Sequence, residues 1–580
     1  MTRLISILGL LFVTVQLAPG AEAPAAQFAV LGEDLVAPAT VHVHAVNTPL
    51  AHGDLMTARY DWDFGDPGAR FNTLRGFCAA HTFDHPGSYV ITLRVTDESG
   101  RGQTLSRAIH VRKSPGRAIY VSQKGSDAND GASPATAMRS MARALSVARD
   151  RDRILLRRGD TFGVTTTLRP TQRNLVIGAY GTTGEDVIRL AHLRVPTNNP
   201  RLLWAGPRNG SPIVETSTRS QNVVIQDITL DTVFTGDREK KNVPAAVRPT
   251  GVNLTLRRCV LLNVSDGINA NAAPTGVLMQ DCIAPLATGL RSYLAWVEGS
   301  DQAYLGNVAV NSTREAVLRM SNGGASRVLI AHNDLTNLDR TSVDRIDTAK
   351  NALTVHFGSH IYIRGNSLRG GPTMIGPLGE RDGLKQNASK LQWVVFEQNL
   401  VSQAGLRVNH GMQKLMIRHN RFRSDDSWAI NVEGFNREYN RRSSDVMIVN
   451  NTAVNRGSKG NFLRVGGGVS GLHVVRNVYV APQLAPGSDL TAIVYVGQKD
   501  AHGISSMTEN IWPAAKPKPF AAGGAFYVWP TWSDARGYID LAKWNRLNNG
   551  TDRQLELAVD VSNWLLPESA AVTAAGARRD

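Results

Sequence analysis

One short pattern of apolar and polar positions recurs along most of this chain. From about residue 222, two or three apolar residues are followed by polar residues, often by Asn, and then by apolar residues again. Val224-Ile225-Gln226-Asp227, Leu278-Met279-Gln280-Asp281 and Tyr304-Leu305-Gly306-Asn307 open the series. Leu329-Ile330-Ala331-His332-Asn333, Tyr362-Ile363-Arg364-Gly365-Asn366 and Val395-Phe396-Glu397-Gln398-Asn399 continue it. Met416-Ile417-Arg418-His419-Asn420, Ile448-Val449-Asn450-Asn451, Val475-Arg476-Asn477 and Thr508-Glu509-Asn510 close it. With Arg258 holding the same place in a weaker copy, the spacings run from 21 to 33 residues. Short strands at that period predict a solenoid, each copy being one rung and the variable length lying in loops. A sharp turn must follow each strand. Asn tolerates the left-handed conformation and can hydrogen-bond along a stack of identical turns. A column of Asn from Asn307 to Asn510 is therefore expected on one edge, as structure and not as chemistry. Cys259 and Cys282 directly follow this position in consecutive copies and are expected to stack as buried thiols.

Upstream, Ile119-Tyr120-Val121-Ser122 reads as a strand, residues 125–131 as a turn, 138–148 as a helix and Ile154-Leu155-Leu156 as a strand. Asp127 and Asp130 are read as turn formers. This order resembles the opening of secreted pectate-lyase-like proteins, in which a short helix caps the coil. The expected fold class is all-β: a right-handed parallel β-helix over residues 117–515 with an N-terminal capping helix, then a C-terminal cap and tail over 516–580. Half of the ten tryptophans fall in or just before this last part: Trp512, Trp529, Trp532, Trp544 and Trp564. They are expected to pack as a cap that hides the last rung's edge.

Residues 26–113 alternate apolar and polar between turn signals, as in a small β-sandwich. Here Tyr60-Asp61-Trp62-Asp63-Phe64-Gly65-Asp66 precedes His81-Thr82-Phe83, Pro86-Gly87-Ser88-Tyr89 and Val95-Thr96-Asp97. These motifs resemble the PKD domain (W-D-F-G-D, H-T-F/Y, P-G-x-Y, V-x-D), with Pro67 where that family usually has Gly. The resemblance implies a spacer or a binding module. Asp63, Asp66 and Asp97 are read as hydrogen-bonded turn carboxylates and not as calcium ligands.

Aligning the rungs on Asn exposes a second column upstream. Its segments are Leu318-Arg319-Met320-Ser321, Leu353-Thr354-Val355-His356, Leu384-Lys385-Gln386-Asn387, Leu406-Arg407-Val408-Asn409, Ile430-Asn431-Val432-Glu433 and Leu463-Arg464-Val465-Gly466. Neighbours in a strand face opposite ways, so the Leu/Ile column points inward and Arg319, Lys385, Arg407 and Arg464 are expected to share one exposed face. Ser321, His356, Asn387, Asn409 and Glu433 are expected on that same face. Like charges about 4.8 Å apart repel, so stability alone does not select such a row. Carboxylates or sulfates of a sugar polymer would match it, because the arginine fork pairs with them bidentately.

The bulk numbers agree with that partner. The 580 residues carry a net charge of +15, and a basic surface favours a polyanion. No nucleic-acid motif appears. Arg3, the apolar run from Leu4 to Leu17 and Ala23 and Ala25 read as a signal peptide over residues 1–25, which predicts a secreted, periplasmic or cell-surface protein. No membrane insertion is expected. Three cysteines, Cys78, Cys259 and Cys282, make neither a disulfide framework nor a zinc cluster.

For chemistry, Val297-Glu298-Gly299-Ser300-Asp301-Gln302-Ala303-Tyr304-Leu305-Gly306-Asn307, followed by Glu315-Ala316-Val317-Leu318-Arg319, carries a further likeness. It resembles the catalytic stretch of the chondroitinase B and alginate lyase family (K-S-S-D-N-x-Y-x-x-N, then L-T-L-R). Asp301, Tyr304, Asn307, Leu318 and Arg319 keep the pattern; Glu298 stands where that family has its general-base Lys. The resemblance implies a lyase acting on uronic-acid polysaccharides and makes calcium a possible cofactor. The acidic pair that binds calcium in that family is not visible in Tyr293-Leu294-Ala295-Trp296. Elimination on a uronate needs a cation on the carboxylate, a base for the C5 proton and an acid for the leaving oxygen. Arg319 and Arg407 are candidate cations; His356, Lys385 and His410 are candidate bases, and Glu298 completes the catalytic candidates. Glu315, Asn387, Asn409, Asn431, Glu433 and Arg464 are candidate substrate-binding residues. The same set would serve a C5-epimerase. A glycoside hydrolase would need paired carboxylates drawn from Glu298, Asp301, Glu315, Asp334, Asp339, Asp344 and Asp347. A non-catalytic glycan-binding or surface protein is the third reading, favoured by Glu298. The expected partner in each case is an anionic polysaccharide, met by a monomer.

Overall fold

The computed structural model describes residues 27–32, 34–234, 242–285, 293–312, 316–338, 351–377, 391–433, 442–466, 469–484, 492–496, 504–513, 526–528 and 537–555. Within them the chain is all-β: a right-handed parallel β-helix behind an N-terminal β-sandwich. Residues 1–25, Glu315, Lys385, Asn387, Asp339, Asp344, Asp347, Trp529, Trp532 and Trp564 lie outside the described residues. No described helix is long and apolar enough to cross a membrane.

The sandwich has a three-stranded antiparallel sheet (Ala29–Leu31, Ala39–His44, Cys78–Phe83) and a four-stranded one (Thr73–Arg75, Arg59–Asp63, Gly87–Thr96, Gly102–Val111). Trp62, Tyr60, Phe64, Phe77 and Phe83 are fully buried in it. Two of its three turn carboxylates act as read from the sequence, while Asp66 instead accepts from His81 Nε2 at 3.0 Å. Asp63 accepts from the Gly65 amide at 2.8 Å, and Asp97 accepts from the Arg101 amide at 3.0 Å.

The coil begins under a single helix, Met141–Val147, shorter than the predicted stretch because Ser140 caps it by accepting from the Arg143 amide. Asp127 accepts from the Arg139 and Ser140 amides, so it shapes the turn. Three parallel sheets follow, named here A, B and C. Sheet A runs from Ala118–Val121 through Arg153–Arg157, Val176–Tyr180, Gln221–Gln226, Gly358–Arg364, Leu391–Glu397 and Met412–Arg418 to Ile504–Thr508. Among the described residues sheet B holds fourteen strands, from Thr161–Val164 to Arg553–Leu555. Sheet C runs from Val214–Glu215 through Asn351–Val355, Thr373–Ile375, Leu406–Val408, Ile430–Val432 and Leu463–Val465. Two long strands, Tyr293–Leu305 and Ala316–Ala331, pass through sheets C and A in turn.

The Asn column forms the turn between sheets A and B. Asn307, Asn333, Asn366, Asn399, Asn420, Asn451, Asn477 and Asn510 stack, and from Asn333 onward each carboxamide oxygen accepts from the backbone and side chain of the Asn in the rung before it. One detail differs from expectation. The left-handed residue is the one before each Asn: Gly306, His332, Gly365, Gln398, His419, Asn450, Arg476 and Glu509 all have φ between 53° and 64°. The Asn supplies the ladder, and its neighbour supplies the bend. The same offset corrects the cysteines. Ile283 pairs with Val308, so Cys282 occupies the Asn place itself, and its amide donates to Asn307 Oδ1 at 2.9 Å. Cys259 and Cys282 are fully buried thiols, as expected.

The sandwich packs against the coil. It lies on the outer face of sheet A, where Leu278, Ala303, Leu305, Leu329, Tyr362, Val395 and Met416 join its own hydrophobic cluster. Polar bonds fix the register. Thr40 and Thr255 hydroxyls meet at 2.6 Å, Asn253 Nδ2 donates to the Thr40 carbonyl at 2.8 Å, and Arg257 pairs with Asp84. Buried His42 and half-buried His44 and His360 line this interface. Burial holds His42 and His360 down at about 4, and His44 also below its ordinary value. A lowered pKa means that the separated form takes up protons first. The stability that these histidines give to docking is therefore complete above pH ~6.5 and is lost as the pH falls from there towards about 4. Small-angle scattering between pH 8 and pH 4 is expected to show the sandwich lifting off on the acid side, reversibly. An unchanged radius of gyration would contradict this.

Candidate functional site

Sheet C presents the chain's polar outward column. Lateral pairing places Asn269, Trp296, Arg319, Thr354, Met374, Arg407, Asn431, Arg464 and Tyr495 in one line. Their neighbours Leu318, Leu353, Leu406, Ile430 and Leu463 are wholly buried, as the alternation requires. Met374 corrects the register. The rung between Thr354 and Arg407 is Thr373–Ile375, so Lys385 does not hold the place given to it, and Gly376 stands where Asn387 was expected.

The column is not an evenly exposed cationic row. Arg319 is only 9% exposed. Its guanidinium carbon lies 5.2 Å from the Trp296 ring centroid and 6.0 Å from that of Tyr293, and Nη1 donates to the Tyr293 hydroxyl at 3.2 Å. The two rings meet edge to face at 5.4 Å. Trp296 Nε1 donates to Glu298 Oε1 at 2.8 Å, so one indole holds both the cation and the carboxylate that sequence reasoning paired. Glu298 lies on the same strand as Trp296, where the backbone leaves sheet C for sheet A. There the register slips, with Val297 opposite Met320 but Gly299 opposite Ala325.

His356 and Asn409 were also expected in solvent, and both are buried. They close in over the end of the next rung: His356 Nδ1 donates to the Gly376 carbonyl at 3.0 Å, and Asn409 Nδ2 donates to the same oxygen at 3.5 Å. With Nδ1 carrying the proton, Nε2 keeps the lone pair. Burial, then the Arg319 charge, lower the His356 pKa to about 3 against the opposing bond to Gly376. The imidazole is thus neutral at physiological pH.

Three rungs below Arg319, about 14 Å away, a second group forms. Arg407 Nε donates to Glu433 Oε1 at 2.5 Å, and His410 Nε2 lies 3.3 Å from Glu433 Oε2. Arg407 therefore meets a carboxylate within the fold. Below it, Arg464 lies 4.9 Å over the Tyr495 ring, with half-buried Asn431 between the two arginines. Sequence reasoning missed Tyr293, Trp296 and Tyr495. Their signal was available, since Trp296 and Tyr495 hold the column position one rung outside the segments aligned.

The other motif residues serve the scaffold. Gln302 and Tyr304 are buried and bonded to each other at 2.7 Å. Asp301 forms a two-bond ion pair with Arg327, 2.7 Å each, beside the histidines of the sandwich interface. Glu298 and Asp301 therefore bind separate partners and do not form a carboxylate pair. Calcium takes six to eight oxygens. Among the described residues no three His, Cys, Asp or Glu gather, and the groups around Arg319 are an indole, a phenol, an imidazole and one carboxylate. This donor set does not fit calcium.

No curated protein matches the chain in sequence. Solved structures do align. The Dettilon tailspike protein shares 12% identity at a TM-score of 0.39, over 63% of this chain and 65% of its own, just under two thirds of that protein. A mutant tailspike of an E. coli bacteriophage, in complex with a pentasaccharide, shares 10% identity at 0.43, over 73% and 77%. A family 28 exopolygalacturonase of Yersinia enterocolitica shares 10% at 0.31, over 82% and 99%. In the N-terminal sandwich, residues 21–111 match the PKD domain family.

Proposed function

We propose that the outer face of sheet C binds an acidic, uronate-containing polysaccharide outside the cytoplasm, and that the chain acts on it at Arg319 as a lyase or C5-epimerase. The observation that carries this reading is the Arg319 guanidinium held between Tyr293 and Trp296 with the neutral His356 beside it. A guanidinium in a partly dry aromatic setting pairs strongly with a carboxylate, because little water competes. Neutralising that carboxylate acidifies the C5 proton, and His356 Nε2, with Nδ1 fixed on Gly376, is the base at hand; in a lyase the C4–O bond then breaks and water protonates the leaving oxygen, whereas in an epimerase a proton returns to C5 on its other face. Aromatic rings at Trp296 and Tyr495 suit the faces of sugar rings along the column. Asn409, Asn431 and Arg464 belong to binding, as does Glu315 by its place in the sequence.

A second reading is binding without turnover. Arg407 and His410 both meet Glu433, and His356, at about 3, is a weak base. One experiment separates the two. Incubation with a panel of uronic-acid polymers yields unsaturated-product absorbance with new reducing ends for a lyase, and solvent deuterium at C5 without new ends for an epimerase. Arg319→Ala is expected to cut either signal about a hundredfold or more while the fold persists, the scale of losing one charge-stabilising donor. Binding that weakens with salt, and no turnover on any polymer, would establish the second reading. Activity that survives Arg319→Ala would remove the site from sheet C.

A further inference from the structure

A cleft of about 820 Å³ opens where the sandwich meets the turn between sheets A and B. Six arginines line it. Arg59 and Arg75 come from the sandwich, Arg364 and Arg418 from sheet A, and Arg421 and Arg423 from sheet B. The lining contains one carboxylate, Glu397, bound by Arg364 at 3.0 Å and Arg418 at 2.7 Å. Asp61 answers Arg59 at 2.5 Å and Arg75 at 2.8 Å from the sandwich side. Arg421 and Arg423 are two residues apart on one strand, so they share a face. Their crowding shows in Arg423, whose guanidinium is held below its usual value by burial and then by the Arg421 charge. Arg364 and Arg418 serve the docking of the sandwich through Glu397, whereas docking does not call for Arg421 and Arg423, which lie on sheet B away from the apolar contact between the domains. Guanidinium groups presented from two domains and two sheets match oxyanions spaced along a chain, each fork taking two oxygens.

We propose that this cleft is a second binding site, separate from the Arg319 column, for a sulfate- or carboxylate-bearing oligosaccharide, and that the site exists only while the sandwich is docked. The inference does not depend on turnover at sheet C.

The test uses the full chain in an Arg319→Ala/Arg407→Ala background, which impairs the sheet C column, with a heparin-derived hexasaccharide, an oligogalacturonate hexamer, maltohexaose and inorganic sulfate as probes. Calorimetry at low salt is expected to retain binding of at least one charged hexamer and none of maltohexaose. Adding Arg421→Ala/Arg423→Ala, two positions outside the buried Glu397 network, is expected to weaken that binding at least tenfold with an unchanged circular dichroism spectrum. The hexamer affected identifies sulfate or carboxylate as the group recognised. Equal binding with and without the last two substitutions, retention of inorganic sulfate only, or no charged hexamer bound in the starting background overturns the cleft. If the starting background instead binds as tightly as the natural chain, the sheet C reading fails and the cleft stands.

Discussion

Glu397→Gln is expected to destabilise the chain by about 3–5 kcal/mol and to release the sandwich from the coil. Glu397 is 2% exposed. Its two oxygens accept separately, Oε1 from Arg364 Nε at 3.0 Å and Oε2 from Arg418 Nε at 2.7 Å. Arg418 extends the network, with Nη1 donating to the Met56 and Thr57 carbonyls of the sandwich and Nη2 to the Tyr362 hydroxyl at 3.3 Å. Glutamine keeps the shape but leaves two buried guanidinium groups without a countercharge, and breaking such a pair from one side costs about 3–5 kcal/mol. Burial alone would raise the Glu397 pKa. The charges of Arg418 and Arg364 outweigh it and hold the carboxyl near about 2. A depressed carboxyl pKa gives stability that is complete above the unfolded value of about 4.3 and is lost as the pH falls through that value towards about 2. Urea unfolding at pH 7 should show a lower midpoint for the variant, and limited proteolysis should cut the 27–113 segment first. At pH 2 the two proteins should converge. A variant with the natural midpoint at pH 7, or one whose deficit persists undiminished at pH 2, would show that the carboxylate is not the link.

Much of the coil was legible because its signal repeats. An Asn every 21 to 33 residues survives loops of different length, since the ladder fixes the rung and not the spacing. The offset at the cysteines arose because the upper rungs place Asp227, Arg258 and Asp281 in the left-handed position, with no Asn after them to mark the register. Lys385 was misplaced for a related reason. Leu384-Lys385-Gln386-Asn387 copies the ladder's pattern, whereas the strand that fills the place is only three residues long, Thr373–Ile375, with Met374 outward. The docking of the sandwich was written in the motif itself. Leu329-Ile330-Ala331 and Val394-Val395-Phe396 are apolar on both faces, which a strand with one wet face does not need. The burial of Arg319 was not legible from its own segment. Tyr293 and Trp296 lie a rung earlier, and lateral neighbours in a coil are remote in sequence.

The Asn ladder itself supports the last prediction, that Asn399→Ala costs about 4 kcal/mol although the residue, which lines the arginine cleft, carries no charge for a ligand to meet. Its Oδ1 accepts from the Asn366 amide at 3.0 Å and from Asn366 Nδ2 at 2.9 Å. Its Nδ2 donates to the Ile363 carbonyl at 3.0 Å and to Asn420 Oδ1 at 3.1 Å. Alanine removes all of these at once in a place that is 1% exposed, leaving two donors and one carbonyl without their partners. Each orphaned group costs roughly 1–3 kcal/mol, and partial relaxation brings the sum to about 4. The far end of the column shows the same logic. After Asn510 no further carboxamide follows, and the place is taken by Asp552, which only accepts. It receives the Asn510 amide and side chain at 2.9 Å and the indoles of Trp512 and Trp544 at 2.9 and 3.2 Å. Those two tryptophans are wholly buried and form the described part of the expected cap. Asn431→Ala, on the outer face of sheet C, is the matched control and should cost less than about 1 kcal/mol. Equilibrium unfolding of both variants decides the matter: equal losses would mean that the ladder adds no more stability than a half-buried surface residue.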